Sequence, residues 1–105
     1  SRCNMRSLVV IRSLVVVLGN IHYQLGNSQK AVDFYERQLQ ISRVIADRRG
    51  EGNALYNLSL TWDRLNNRPL AITQAEAALS VFLLIGDPWA KEVQTLLTEW
   101  RNEKG

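Results

Sequence analysis

The chain has 105 residues, 46% of them apolar and 22% charged, which sets one small globular domain and excludes a disordered or fibrous chain. The net charge of +3 is mild and gathers in no basic cluster, since the densest run, "DRRGE", is flanked by acids, so nucleic acid is not an expected partner. The single cysteine, Cys3, excludes an internal disulfide framework and fits a reducing, cytoplasmic setting.

In chain order, the first segment is the apolar run "LVVIRSLVVVLG", interrupted by Arg12. It falls short of the roughly 20 apolar residues of a membrane span and has no signal-peptide cleavage site, so no membrane is expected. Its β-branched residues Val9, Val10, Ile11, Val15, Val16 and Val17 leave a strand as a second reading. The helical context that follows favours a helix over about 8–25, with Ser7 of N-cap type. Leu14, Val15, Leu18, Ile21, His22 and Leu25 then share one face, taken as the core side. Gly26-Asn27-Ser28 breaks the chain, and a second helix over about 29–46 spaces Ala31, Phe34, Tyr35 and Leu39 along one side.

Asp47 is placed to cap a third helix over about 48–65, with Leu55, Leu58, Trp62 and Leu65 on its apolar face. Asn66-Asn67-Arg68-Pro69 is the next break. The fourth helix, about 69–85, carries Ala71, Ala75, Ala78, Leu79 and Phe82. Asp87 followed by Pro88 suits the start of a fifth over about 88–103, where a proline loses no helical hydrogen bond. Val93, Leu96, Leu97 and Trp100 keep helical spacing there, displaced by about two residues from the period of the rest. Links this short make consecutive helices antiparallel neighbours.

That period is 40 residues. Leu18 recurs as Leu58, Leu25 as Leu65, Ala31 as Ala71, Leu39 as Leu79 and Asp47 as Asp87; Gly26 and Asn27 recur as Asn66 and Asn67. Ser7, Asp47 and Asp87 stand in the same series. A repeat of 20–50 residues marks stacked supersecondary units that bury their faces on one another.

The stretch "LGNIHYQLGNSQKAVDFYERQL" resembles a tetratricopeptide repeat, a helix–turn–helix unit, with Leu18, Gly19, Tyr23 or His22, Gly26, Ala31 and Tyr35 filling its signature. Gly19 would let the second helix approach closely, with Ala31 doing the same from the other side, and Gly26 would make the turn. The second copy is worn: Ser59 stands for the glycine, Trp62 for the aromatic and Ala75 for the later aromatic, while Leu58, Leu65, Ala71 and Leu79 are kept. The 40-residue length looks like the longer repeats of kinesin-light-chain-like and bacterial regulatory proteins.

The resemblance implies an all-α fold: stacked antiparallel hairpins in a right-handed solenoid of about five helices. It would be a single domain over 1–105, with repeat one at about 8–46, repeat two at about 48–85 and a capping half repeat at about 88–103. It also implies a concave face lined by first helices. That would place Val16, Asn20, Tyr23 and Gln24 there from repeat one, and Asn53, Tyr56, Asn57, Leu60, Asp63 and Arg64 from repeat two. Lys91, Gln94, Thr98 and Arg101 would follow. Amides bond a peptide backbone and tyrosines add rigid contact area, so the expected function is non-catalytic binding of a protein or extended peptide. In relatives that clamp a C-terminal carboxylate, Asn20, Asn57 and Lys91 would hold two asparagine places and a lysine place, but Val16 and Thr95 occupy the places of two further cations.

A different reading is structural self-association, in which the chain is an assembly segment or a piece of a longer repeat protein. Leu8, Val9, Val10 and Ile11 spread over most of a turn and cannot all face one neighbour. Other residues have plainer roles. His22 has no partner at ligand spacing and reads as a packing residue, so no metal or other cofactor is expected. Cys3 lacks an activating neighbour beyond Arg2. Trp62 and Trp100 read as core, and Trp89 as a capping or interface residue. Asn57-Leu58-Ser59 matches a glycosylation sequon inside a helix. No phosphate loop, triad or catalytic carboxylate pair is present, so no enzyme is expected.

Overall fold

The computed structural model describes residues 4–103. Cys3, and with it the reading of an inert thiol, lies outside the described residues. Five helices follow one another: α1 (Met5–Gln24), α2 (Ser28–Val44), α3 (Arg48–Arg64), α4 (Arg68–Ile85) and α5 (Trp89–Asn102). Each packs on the next, and the body is a slab of 51 × 32 × 17 Å.

All four junctions share one geometry. Each has three linking residues, one of which takes the left-handed conformation: Gly26, Ala46 and Asn66 in second place and Gly86 in first, with φ of 83, 59, 64 and 68°. The following residue donates its N–H to the carbonyl five positions back: Asn27 to His22, Asp47 to Ser42, Asn67 to Trp62 and Asp87 to Phe82, at 2.8–2.9 Å. These bonds satisfy last-turn carbonyls that the helix leaves unpaired. Glycine and asparagine suit the conformation, but Ala46 adopts it against its own side chain. Asp47 then caps α3 by accepting from Gly50 N–H at 3.0 Å, Asn67 caps α4 through Leu70 N–H at 3.2 Å, and Asp87 accepts from Trp89 N–H at 2.9 Å.

The start of α1 differs from expectation. The helix begins at Met5, and Asn4 is its N-cap, accepting from the N–H of Ser7 at 2.8 Å. Ser7 is therefore inside the first turn and is not the cap, because Asn4 offers a stronger capping side chain three residues earlier. The extension makes α1 20 residues long. By length and composition, α1 and α4 are each long and apolar enough to cross a membrane, unlike the shorter run read from sequence. In this fold α4 is packed between α3 and α5.

One cluster of buried apolar side chains runs from α2 to α5, from Ala31, Tyr35 and Leu39 through Leu55 and Leu58 to Phe82, Val93, Leu97 and Trp100. Trp62 packs partly buried against it. The face of α1 read as core is divided. Val15 and Gly19 are buried and His22 is half-buried, whereas Leu14, Leu18, Ile21 and Leu25 lie open to solvent. Periodicity marks an apolar stripe but does not say whether another element covers it, and α1 packs chiefly on α2.

The close approach at Gly19 is real, and its partner is the Tyr35 ring. A Cβ on Gly19 would stand 2.7 Å from that ring. In the second hairpin the same device has moved. Gly52 on α3 faces Phe82 on α4, again with 2.7 Å for an added Cβ. Relative to the first hairpin, the glycine sits seven residues earlier and the ring seven later. In antiparallel helices those two shifts cancel.

Candidate functional site: a groove along the first helices

The site is built by α1, α3 and the start of α5. A cavity of about 630 Å³ is lined by Arg12, Ser13 and Val16 of α1, Arg49, Asn53, Tyr56 and Asn57 of α3, and Trp89 of α5, with Gln38, Asp47 and Gly50 at its floor. A smaller one of about 160 Å³ is lined by Asn20, Tyr23 and Gln24, with Tyr35, Asn57 and Leu60. Asn57 lines both, so the two form one continuous groove.

The charges that enter this groove are paired. Arg12 binds Asp47, the N-cap of α3, and Arg49 binds Asp87 beside the start of α5 at 3.3 Å. Each first helix thus ties down the aspartate that opens the next one. This bond neutralises the groove and fixes the spacing of its walls. An aromatic platform stands at one end, with the Tyr56 and Trp89 rings 5.5 Å apart. Burial raises the pKa of the Tyr56 hydroxyl, with Glu92 and Tyr23 adding to the effect, so Tyr56 stays a neutral donor.

At the other end Tyr35, buried behind Asn20, donates to Asn20 Oδ1 at 2.6 Å. Burial, reinforced by Tyr23 and opposed by Arg64, pushes the Tyr35 hydroxyl up to about 12. The bond orients the Asn20 amide so that its NH2 group is left to face the groove. Asn53 and Asn57 are half-buried in the groove wall.

Asn20, Tyr23, Gln24, Asn53, Tyr56 and Asn57 therefore come together as groove lining, as do Val16 and Leu60. Arg64 is engaged within the fold. Its guanidinium lies 3.5 Å over the Tyr23 ring and donates to the Tyr23 carbonyl, covering the C-terminal end of α1. Asp63 is bound by Arg68 at 2.7 Å. Lys91 is exposed on α5 and lines neither cavity. Gln94 and Thr98 are exposed beside it, and Arg101 pairs with Glu76 of α4.

The register of α5 explains the difference. Val93, Leu97 and Trp100 are buried where α3 buries Ala54, Leu58 and Thr61, an offset of 39 residues. One residue is 100° of helix, which turns Lys91 outward and brings Trp89 into the groove. A clamp of Asn20, Asn57 and Lys91 is accordingly not assembled. Arg12, Arg49 and Trp89 are groove residues that sequence reasoning did not place there. The signal was available for the arginines in the recurrence of Asp47 and Asp87 as helix-opening acids that need a partner.

His22 stacks on Phe34 with ring centroids 5.4 Å apart and planes within 7°, a packing role. Among the described residues no group of three His, Cys, Asp or Glu side chains is arranged to hold a metal. Leu8 is half-buried, while Val9, Val10 and Ile11 are exposed and line neither cavity.

The sequence model of the tetratricopeptide repeat matches residues 10–83. This chain is a tetratricopeptide repeat protein. No curated protein matches it. Membership accounts for the helical hairpins, the turn at Gly26 and the small-residue contact at Gly19, and it points to a protein-interaction scaffold as the general class of function.

Proposed function

We propose that the groove binds an extended peptide segment of a partner protein and performs no chemistry on it. The observation that carries this reading is the amide row Asn20, Asn53 and Asn57, joined end to end by the shared lining residue Asn57. Amides donate and accept at once, as a peptide backbone does, so they suit an extended chain whatever its side chains. Tyr56 and Trp89 supply a rigid apolar platform for one anchoring side chain. Because Arg12 and Arg49 are already paired, the anchor is expected to be aromatic or aliphatic and not acidic. A reducing, cytoplasmic setting belongs to the same reading and rests on the lone cysteine.

The test is selection from a displayed library of random twelve-residue peptides, with binding of the winners followed by fluorescence anisotropy of the labelled peptide. Selected peptides should share an apolar anchor and lose at least tenfold in affinity on Asn57→Arg and on Trp89→Ala. Winners indifferent to both substitutions, or anchored by a terminal carboxylate, would overturn the reading.

A further inference from the structure

Away from the groove, α1 carries a second surface. Ile11, Leu14, Leu18, Ile21 and Leu25 follow one another at spacings of three and four and are 39–68% exposed. That is the a/d pattern of a helix seam held over two heptads. Val15 and Gly19, one residue further round, are the positions that face α2 and are buried. With Val10 and Val17 on its flank, the open aliphatic surface on this side of α1 is on the order of 600 Å², at the upper end of the ~300–600 Å² of a monomer's largest patch and approaching the ~800 Å² each partner gives a stable interface. The patch runs the length of the helix, well beyond Leu8–Ile11. A shallow apolar cleft of about 350 Å³ between α1 and α2, floored by Val15 and Ile41, continues it.

What covers this face can be argued from the rest of the molecule. The equivalent faces of α3 and α5 are each covered by a helix, α2 and α4 respectively, so the occupant is a helix. The α2 surface is not the complement of α1. It presents Arg43, which pairs with Glu51 at 3.2 Å, where α1 would offer Ile11. Nor is the far end of another copy suitable, because α5 turns Lys91, Gln94 and Thr98 to solvent. Of the two ends only α1 is apolar, and an apolar face that must meet its like in a second copy forms a closed two-fold contact.

We infer that two copies of this chain pair through their α1 helices, packed antiparallel about a two-fold axis beside Val17 and Leu18. Leu14 of one protomer then meets Ile21 of its partner, and Ile11 lies near the far end of the partner's helix. α1 has no acidic residue and two arginines, Arg6 and Arg12. Arg12 is turned away to Asp47, and the antiparallel arrangement holds the two Arg6 side chains at opposite ends, where a parallel one would stack them. A membrane surface fits less well. An interfacial helix carries Lys and Arg on a solvated polar face, whereas the polar side of α1 is occupied by its bonds to Asp47 and Tyr35.

The experiment is sedimentation velocity from 1 to 500 µM on the wild-type chain and on Leu14→Lys/Ile21→Lys, both of them exposed positions. The wild type should sediment as a dimer, and the double variant as a monomer of unchanged helicity with a dimer dissociation constant raised at least 100-fold. In a Cys3→Ser background, Leu18→Cys should form an intermolecular disulfide and Ile11→Cys should not. A wild type that stays monomeric throughout, a dimer that survives both lysines, or equal cross-linking at Ile11 would overturn the proposal. So would a monomer that floats with phosphatidylcholine–phosphatidylglycerol vesicles, which would assign the face to lipid.

Discussion

At one end of the stack α5 buries Val93, Leu97 and Trp100 against α4 and turns Lys91, Gln94, Thr95 and Thr98 outward, the two threonines bonding back to carbonyls of their own helix. At the other end α1 buries Val15 and Gly19 and turns aliphatic side chains outward along its whole length. A stack of hairpins needs a polar outer face where it stops. The outward face of α5 is polar in that way, and the outward face of α1 is bare and apolar. Between them lies the groove, walled by both terminal helices and α3, so the covering of α1 and the filling of the groove are separate events on opposite sides of one helix.

The comparison breaks most visibly at matched leucines. Leu97→Ala, at a fully buried site, should cost about 2–4 kcal/mol, whereas Leu14→Ala in dilute solution should stay within about 0.5 kcal/mol. Chemical denaturation of both variants checks this, and equal losses would mean that α1 is covered even in the monomer. Next in size are the glycines. Gly19→Leu should push α1 off the Tyr35 ring and cost about 1–3 kcal/mol by overpacking, and Gly52→Leu should do the same against Phe82. Since α1 packs chiefly on α2, hydrogen exchange after Gly19→Leu should rise most in α1.

These sites show how far the sequence could be read. The 40-residue recurrence marked the hairpins, the breaks at Gly26 and Asn66 and the cap at Asp47, and the resemblance to a tetratricopeptide repeat implied eight of the groove residues, Val16 and Leu60 among them. Burial was not legible on α1, because Leu14, Leu18, Ile21 and Leu25 have the same spacing whether covered or bare. Nor was the move of the small-to-ring contact from Ser59 and Ala75 to Gly52 and Phe82, since two compensating shifts erase the position-by-position match. A single residue of register decided that Trp89, and not Lys91, enters the groove.

Smaller effects sharpen the account of how the open end is fastened. Tyr35 is neutral in both folded and unfolded chains below about pH 10. Because its folded pKa is pushed up to about 12, only the unfolded chain ionises between these values, and stability falls as pH rises through that window. The wild type should lose on the order of 1–2 kcal/mol more than Tyr35→Phe between pH 9.5 and 12. At pH 7 the same substitution should cost about 1 kcal/mol through the lost bond to Asn20. Thermal melts across pH check both signs. Smallest is Ala46, the one junction residue of its kind in a left-handed conformation, where Ala46→Gly should raise stability by about 0.5–1 kcal/mol. The same change to glycine at Asn66 should give less, because asparagine tolerates that conformation.

The difference between the two ends is tested most directly by hydrogen exchange followed by mass spectrometry at 5 and 500 µM. The account predicts that backbone amides of α1, residues 5–24, gain protection at the higher concentration while those of α5, residues 89–102, do not change. Equal gains at both ends, or a gain confined to α5, would contradict it.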